Sequence, residues 1–259
     1  MFQGGLGNQL FQYAYLCKLR EMGYHPLYLN YADASHNGFE IQKYFITDMK
    51  PCPNLFRLLY RCLVRLNHHV GISLLSNEVN FSLHKLFQSG YWQDIKYMSS
   101  NLSVHFKQLD IGEKNRKIEQ EMLSSNSVSI HIRRGDYLLP PHNKVFAGIC
   151  TEDYYRRALE IVEGKVDSPS FFVFSDDMEW TKKHIKITDS ECHYIDWNTG
   201  DNSIFDMYLM SKCKANVLAN STFSYWAARL GCSKCVVYPG KWFNTMNAPR
   251  IFPKEWMSI

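Results

Sequence analysis

From residue 127 onward the apolar and polar positions alternate between two periods. SVSIHI (127–132) alternates polar with apolar, the period of a strand. Thr151 precedes Glu152 and Asp153 and then apolar positions at helical spacing, which predicts a capped helix running to Gly164. SFFVF (170–174) is a short apolar run of strand length, and the same reading predicts strands over 192–196, 215–219 and 234–238. Between them, helices are predicted over 177–186, 203–212 and 222–230. Strands alternating with helices of this length imply a parallel sheet covered on both faces.

The first half is less regular. A helix is expected from Gln9 to Glu21, with Leu10, Ala14 and Cys17 on one apolar stripe, then a short strand PLYLN (26–30), then mostly helical or irregular sequence to residue 125. The polar stretch Glu113–Asn126 is the candidate linker, giving an N-terminal half 1–125 and a C-terminal half 126–259. LFRLLYRCLVRL (55–66) places Arg57, Arg61 and Arg65 four apart on a helix otherwise rich in Leu, Val and Tyr, a stripe that is either simply solvated or in peripheral contact with anionic lipid.

Composition narrows the classes. With 46% apolar and 21% charged residues, the 259-residue chain is globular rather than disordered. Its 29 basic and 25 acidic residues give a net charge of +4, which suits a small anionic ligand at least as readily as nucleic acid, whose binding usually demands a clustered basic face. The aromatic residues lie in core-like runs instead of interleaving with basic ones, so no nucleic-acid partner is expected. Eight cysteines without a secretory leader point to reduced thiols in the cytoplasm, and the pair Cys232 and Cys235 lacks a second pair to complete a zinc site. No apolar run is long enough to span a bilayer.

The candidate chemistry sits at strand ends. In an open α/β sheet, ligands bind beyond the carboxyl ends of strands, and HIRRGDY (131–137) puts two arginines, Gly135 and Asp136 there. Arginines at that position can point into a crevice where phosphates supply the opposite charge, with Gly135 bringing backbone close to the ligand. SFFVF runs into Ser175-Asp176-Asp177, and strand 215–219 runs into NSTFS (220–224), whose hydroxyls and helix N-terminus suit a pyrophosphate. GGLGNQ (4–9) is a glycine loop feeding a helix, where Asn8 serves either a ligand or the helix cap.

GGLGNQLFQYA, SGYWQD (89–94), HIRRGDY, FSDD (174–177), NSTFSYWAA (220–228), PGKWFN and FPKEW together resemble bacterial α-1,2-fucosyltransferases of glycosyltransferase family eleven over nearly the whole chain. That resemblance implies a GT-B-like α/β architecture of two Rossmann-type halves, with the first half on the acceptor side and the second binding GDP-fucose. It implies inverting transfer of L-fucose to O2 of a galactose-terminated glycan in surface-glycan synthesis, with neither cofactor nor metal. On matching positions Arg133 binds the β-phosphate, His131 and Asp176-Asp177 lie near the nucleotide, Asn8 reaches the donor from the other half, and Ser221, Thr222 and Ser224 bind phosphate oxygens. Two features depart from the pattern. Only Met1-Phe2-Gln3 precede the glycine loop where a hydrophobic strand is expected, and Pro141 stands where related core fucosyltransferases carry a glutamate base.

An inverting displacement needs a cation at the departing pyrophosphate and a group that takes the acceptor proton. Arg133 suits the first task. Asp136 is either the base or the structural partner of Arg133, and the Asp176-Asp177 carboxylates suit guanine N–H donors. Tyr91, Trp92 and Gln93 either line the acceptor site or pack in the core. The alternative from another class is a non-catalytic protein that holds a nucleotide or an anionic glycan in the same cleft; slow GDP release from GDP-fucose separates the two.

Overall fold

The computed structural model describes residues 1–33, 37–70, 76–78, 81–187 and 191–259. The irregular stretch expected before residue 125 includes 34–36, 71–75 and 79–80, which lie outside the described residues. The chain divides into two units, Met1–Lys107 and Gln108–Ile259.

The first unit is built on α1 (Leu6–Glu21), followed by α2 (Ile41–Tyr44) and α3 (Asn54–Val70). Gly4 turns the chain into α1 at φ +70, and a Cβ there would lie 2.8 Å from Asn8 Nδ2, so both conformation and space call for glycine. The single-stripe reading of α1 is corrected: Leu6, Leu10, Phe11, Tyr13, Ala14, Tyr15, Leu16 and Leu19 are all buried. Its buried polar groups are satisfied. Gln9 Nε2 donates to the carbonyls of Gly4 (2.9 Å) and Gly38 (2.7 Å), while its Oε1 accepts from the amides of Glu40 and Ile41. PLYLN takes the form of parallel bridges, Tyr28 with Pro51 and Asn30 with Phe2, rather than a full strand.

The second unit opens with α4 (Gly112–Ser124), where a linker was expected. Its sequence reads as polar because only a narrow stripe, Asn115, Ile118 and Met122, is buried, and Asn115 Nδ2 bonds Asn198 Oδ1 at 2.9 Å. Then follow β1 (Asn126–Ile132), α5 (Asn143–Phe146), α6 (Glu152–Glu163), β2 (Pro169–Ser175), α7 (Met178–His184) and β3 (Cys192–Ile195). The chain ends with α8 (Ile204–Met210), β4 (Ala215–Val217), α9 (Thr222–Leu230), β5 (Cys235–Tyr238) and β6 (Met257–Ser258).

The strands form one six-stranded sheet, every pairing parallel, in the order β3-β2-β1-β4-β5-β6. This is the doubly wound order, and the α/β, GT-B-like class expected from the sequence is the class observed. Val128, Ile130 and Ile132 of β1 pack with Tyr155, Ala158 and Val162 of α6 in the main core. The intervening Ser127, Ser129 and His131 are also buried, because the opposite face of the sheet is covered too. The polarity of the two serines is met locally: Asn216 Nδ2 on β4 donates both to Ser129 Oγ and to the Met210 carbonyl, and Ser127 Oγ accepts from the Lys214 amide.

Candidate functional site

Strand order reverses between β1 and β4, so a crevice opens beyond their carboxyl ends. Arg133–Asp136 leaves β1 there and Leu218–Ser221 leaves β4 there. Both segments were singled out in the sequence, and the topology brings them to one place.

Arg133 is held on two sides. Its Nη2 donates to Asp136 Oδ1 at 2.6 Å, and its Nη1 lies 3.0 Å from Asp176 Oδ2. The side chains of Arg133, Asp136 and Asp176 keep 32%, 32% and 24% of their surface exposed, so the pairs are neither buried nor free. Burial alone would lower the Arg133 guanidinium, but Asp176 and Asp136 outweigh it and hold it above its ordinary value. A guanidinium carries five N–H donors, and two carboxylate contacts leave others to meet a ligand.

Asp176 and Asp177 are engaged on every oxygen. Asp176 Oδ1 accepts the Arg134 amide at 2.8 Å, Asp177 Oδ2 accepts Arg134 Nε at 3.0 Å, and Asp177 Oδ1 caps α7 through the Trp180 amide at 3.1 Å. The carboxylates expected to greet guanine therefore already serve the arginines. Gly135 has a related reason: a Cβ there would lie 2.7 Å from Asp176 Oδ2. Its lack of a side chain admits the aspartate, which sequence reading had assigned to a ligand.

A cavity of about 250 Å³ adjoins this cluster, lined by Arg133, Arg134, Tyr137, Thr151, Trp180 and Asn220 among others. Arg134 lies 3.6 Å over the Trp180 ring, and Tyr137 stacks on Phe146 at 4.5 Å while its hydroxyl donates to the Asn220 carbonyl. Asn220 is buried and clamps the turn before α9, with Nδ2 donating to the Trp242 carbonyl at 3.2 Å. Sequence reading missed the structural roles of Trp180, Tyr137 and Asn220. Only the doublet of arginines hinted at two distinct partners.

The hydroxyls of NSTFS divide. Ser221 caps α9, accepting from the Phe223 amide, and Thr222 opens the helix half-buried. Ser224 is fully buried, and its hydroxyl bonds the Ala219 and Ser221 carbonyls. His131 is buried on the β1 face toward α9, its ring 5.8 Å from Phe223. Burial, aided by the Arg133 charge, pushes its imidazole down to about 3, and Nδ1 has no hydrogen-bond partner among the described residues. It is a neutral ring with a polar atom to spare. Asp206 is a further unanticipated group: burial pushes it up to about 8 against the opposing hydrogen bond from Asn198.

In the first unit, Asn8 and SGYWQD meet: Gln93 Nε2 donates to Asn8 Oδ1 at 3.0 Å. Tyr91 is half exposed, whereas Trp92 is a core residue stacked on Tyr15 at 4.1 Å with its amide bonded to Glu78.

The sequence profile of glycosyl transferase family 11 matches residues 67–259. The O-antigen biosynthesis glycosyltransferase WbnK of Escherichia coli is 30% identical over 305 residues, covering 99% of this chain and 98% of that protein. An alpha-1,2-colitosyltransferase of Escherichia coli is 30% identical over 284 residues, covering 99% of this chain and 96% of its own. Human galactoside alpha-(1,2)-fucosyltransferase 1 is 29% identical over 140 residues, covering 51% of this chain and 38% of that protein. The crystal structure of fucosyltransferase NodZ from Bradyrhizobium superimposes with a TM-score of 0.52 at 12% identity, over 89% of this chain and 90% of that one, a likeness of fold. With the profile covering most of the chain and two relatives matching it end to end, the chain belongs to glycosyl transferase family 11.

Proposed function

We propose that this glycosyltransferase moves L-fucose from GDP-fucose to O2 of a terminal galactoside, with inversion, forming an α-1,2 linkage in surface-glycan synthesis. The observation that carries the reading is Arg133, fixed between Asp136 and Asp176 at the switch point of the sheet. The acceptor oxygen forms a bond to the anomeric carbon as the bond from that carbon to the β-phosphate oxygen breaks. The electron pair leaves on the pyrophosphate and the acceptor proton goes to a base. Arg133, with N–H groups beyond its two carboxylate contacts, meets the charge that develops on the leaving group. The N-terminus of α9 adds a partial positive charge near Ser221 and Thr222.

No metal is assigned a role, because the Asp176-Asp177 pair that would hold one faces two guanidinium groups. The relative that names colitose over the full length of the chain favours a second reading, in which the donor sugar is that 3-deoxy analogue of fucose. Thermal melts with GDP, GDP-fucose, UDP and UDP-galactose test the nucleotide. Ligand at a hundredfold excess over Kd stabilises by about 2.7 kcal/mol, so GDP and GDP-fucose shift the midpoint by several degrees and the uridine compounds leave it unchanged. Equal shifts with UDP-galactose refute the donor. Turnover with fucose and colitose donors on a β-galactoside then decides the sugar, and a colitose donor used tenfold better than GDP-fucose replaces the first reading by the second.

A further inference from the structure

The outward face of α3 is not used by the site above. Its inner face is accounted for: Phe56, Tyr60 and Leu63 pack with Leu29 and Phe87. At 3.6 residues per turn, that leaves Leu55, Leu58, Leu59, Arg61, Cys62 and Arg65 turned away from the unit. Leu55, Leu58 and Leu59 are 72%, 60% and 40% exposed, and Arg61 and Arg65 are exposed beside them. Arg57 differs from the other two: its Nη2 lies 3.4 Å from the Asn30 carbonyl and its guanidinium sits over the Tyr31 ring. The free cationic ridge is therefore Arg61 and Arg65, and neither makes an ion pair among the described residues.

No Asp or Glu occurs anywhere from Asn54 to Val70. A helix surface with leucines along one side, arginines along the other and no acidic residue matches a headgroup boundary, with the apolar side chains in the acyl margin and the guanidinium groups among phosphates. A second copy would set arginine against arginine, which disfavours self-pairing through this face. Leu86, 65% exposed, borders the same cavity as Phe56.

We propose that the outward face of α3 docks the protein on an anionic bilayer, Leu55, Leu58 and Leu59 entering the interface while Arg61 and Arg65 meet acidic headgroups. This surface lies in the first unit and does not depend on the donor assigned above. The test is co-sedimentation of the full chain with vesicles of phosphatidylcholine, alone or with phosphatidylglycerol. Binding is expected only to the anionic vesicles and is expected to weaken as salt is raised. Each of Arg61→Gln and Arg65→Gln is expected to lower the partition coefficient about fivefold. The pair Leu55→Ser with Leu58→Ser lowers it further, while the thermal midpoints of all variants stay at the wild-type value because the residues are exposed. Equal binding to both vesicle types, no binding to either, or variants that bind like the wild type overturn the proposal. So does a dimer dissolved by Leu58→Ser in the absence of lipid binding, which would make this face a protein interface.

Discussion

Gly135→Ala should damage the site by moving an aspartate. The added methyl would lie 2.7 Å from Asp176 Oδ2, against an ordinary contact of 3.4 Å and beyond, so the carboxylate must retreat by about 0.7 Å. That carboxylate holds Arg133 at 3.0 Å through one oxygen and the Arg134 amide at 2.8 Å through the other. A hydrogen bond to a charged group contributes about 1.5–3 kcal/mol, and the partial exposure of this pair favours the lower end, so weakening both contacts costs about 2 kcal/mol. For a domain of this size the midpoint should fall roughly 5 °C. If Arg133 meets the leaving pyrophosphate as proposed, displacing it by a sizeable fraction of an ångström should lower kcat by at least about tenfold.

A double-mutant cycle with Asp176→Ala isolates the cause. If the clash is with Asp176, alanine at position 135 has room once the carboxylate is gone, and its penalty in that background vanishes. Calorimetric titration of GDP and thermal melts across the four proteins measure it. A Gly135→Ala protein that melts and turns over like the wild type refutes the reasoning. A penalty on GDP affinity that persists beside Asp176→Ala also refutes it, and assigns the glycine to close approach of the ligand instead.

Arg133→Lys keeps the charge but cannot span Asp136 and Asp176 with a planar fork, so transfer should fall about a hundredfold; retention of most of the turnover refutes a directed contact. Asp136→Ala should weaken GDP binding and transfer together, with Asp136→Asn recovering much of both because its amide oxygen still accepts from Arg133; abolished transfer at unchanged GDP affinity in the Asn variant makes Asp136 the base. Transfer should survive EDTA, and a loss restored by Mg²⁺ or Mn²⁺ overturns the metal-free reading. Asp206, ordinarily at 3.8, is raised to about 8, so its protonated form favours the fold fully below pH 3.8 and that stability is lost as pH rises toward 8. Asp206→Asn should flatten this slope in melts across that window, and an unchanged slope refutes the assignment.

The alternation from residue 126 onward was legible because each element there carries its own period, and a parallel sheet then fixes which chain ends share a crevice. Arg133, Asp136 and Asp176 were readable for that reason. The helix α4 was not, since a stripe of Asn115, Ile118 and Met122 on an otherwise charged segment has the composition of a linker. Within the site, sequence shows which residues arrive but not which way a helix is rolled. Ser221 and Ser224 look alike in NSTFS, yet one caps α9 and the other turns back into the core to bond backbone carbonyls. The stacking of Arg134 on Trp180 depends on the same hidden variable. Charge counting misleads here as well. Arg133 and Arg134 face Asp136, Asp176 and Asp177, so the cluster is more acidic than basic, and the protein's net charge of +4 says little about it. On the proposed function, attraction for a pyrophosphate comes from N–H groups held in fixed directions, at Arg133 and at the start of α9, which is a property of orientation that the aspartates supply and that composition does not express.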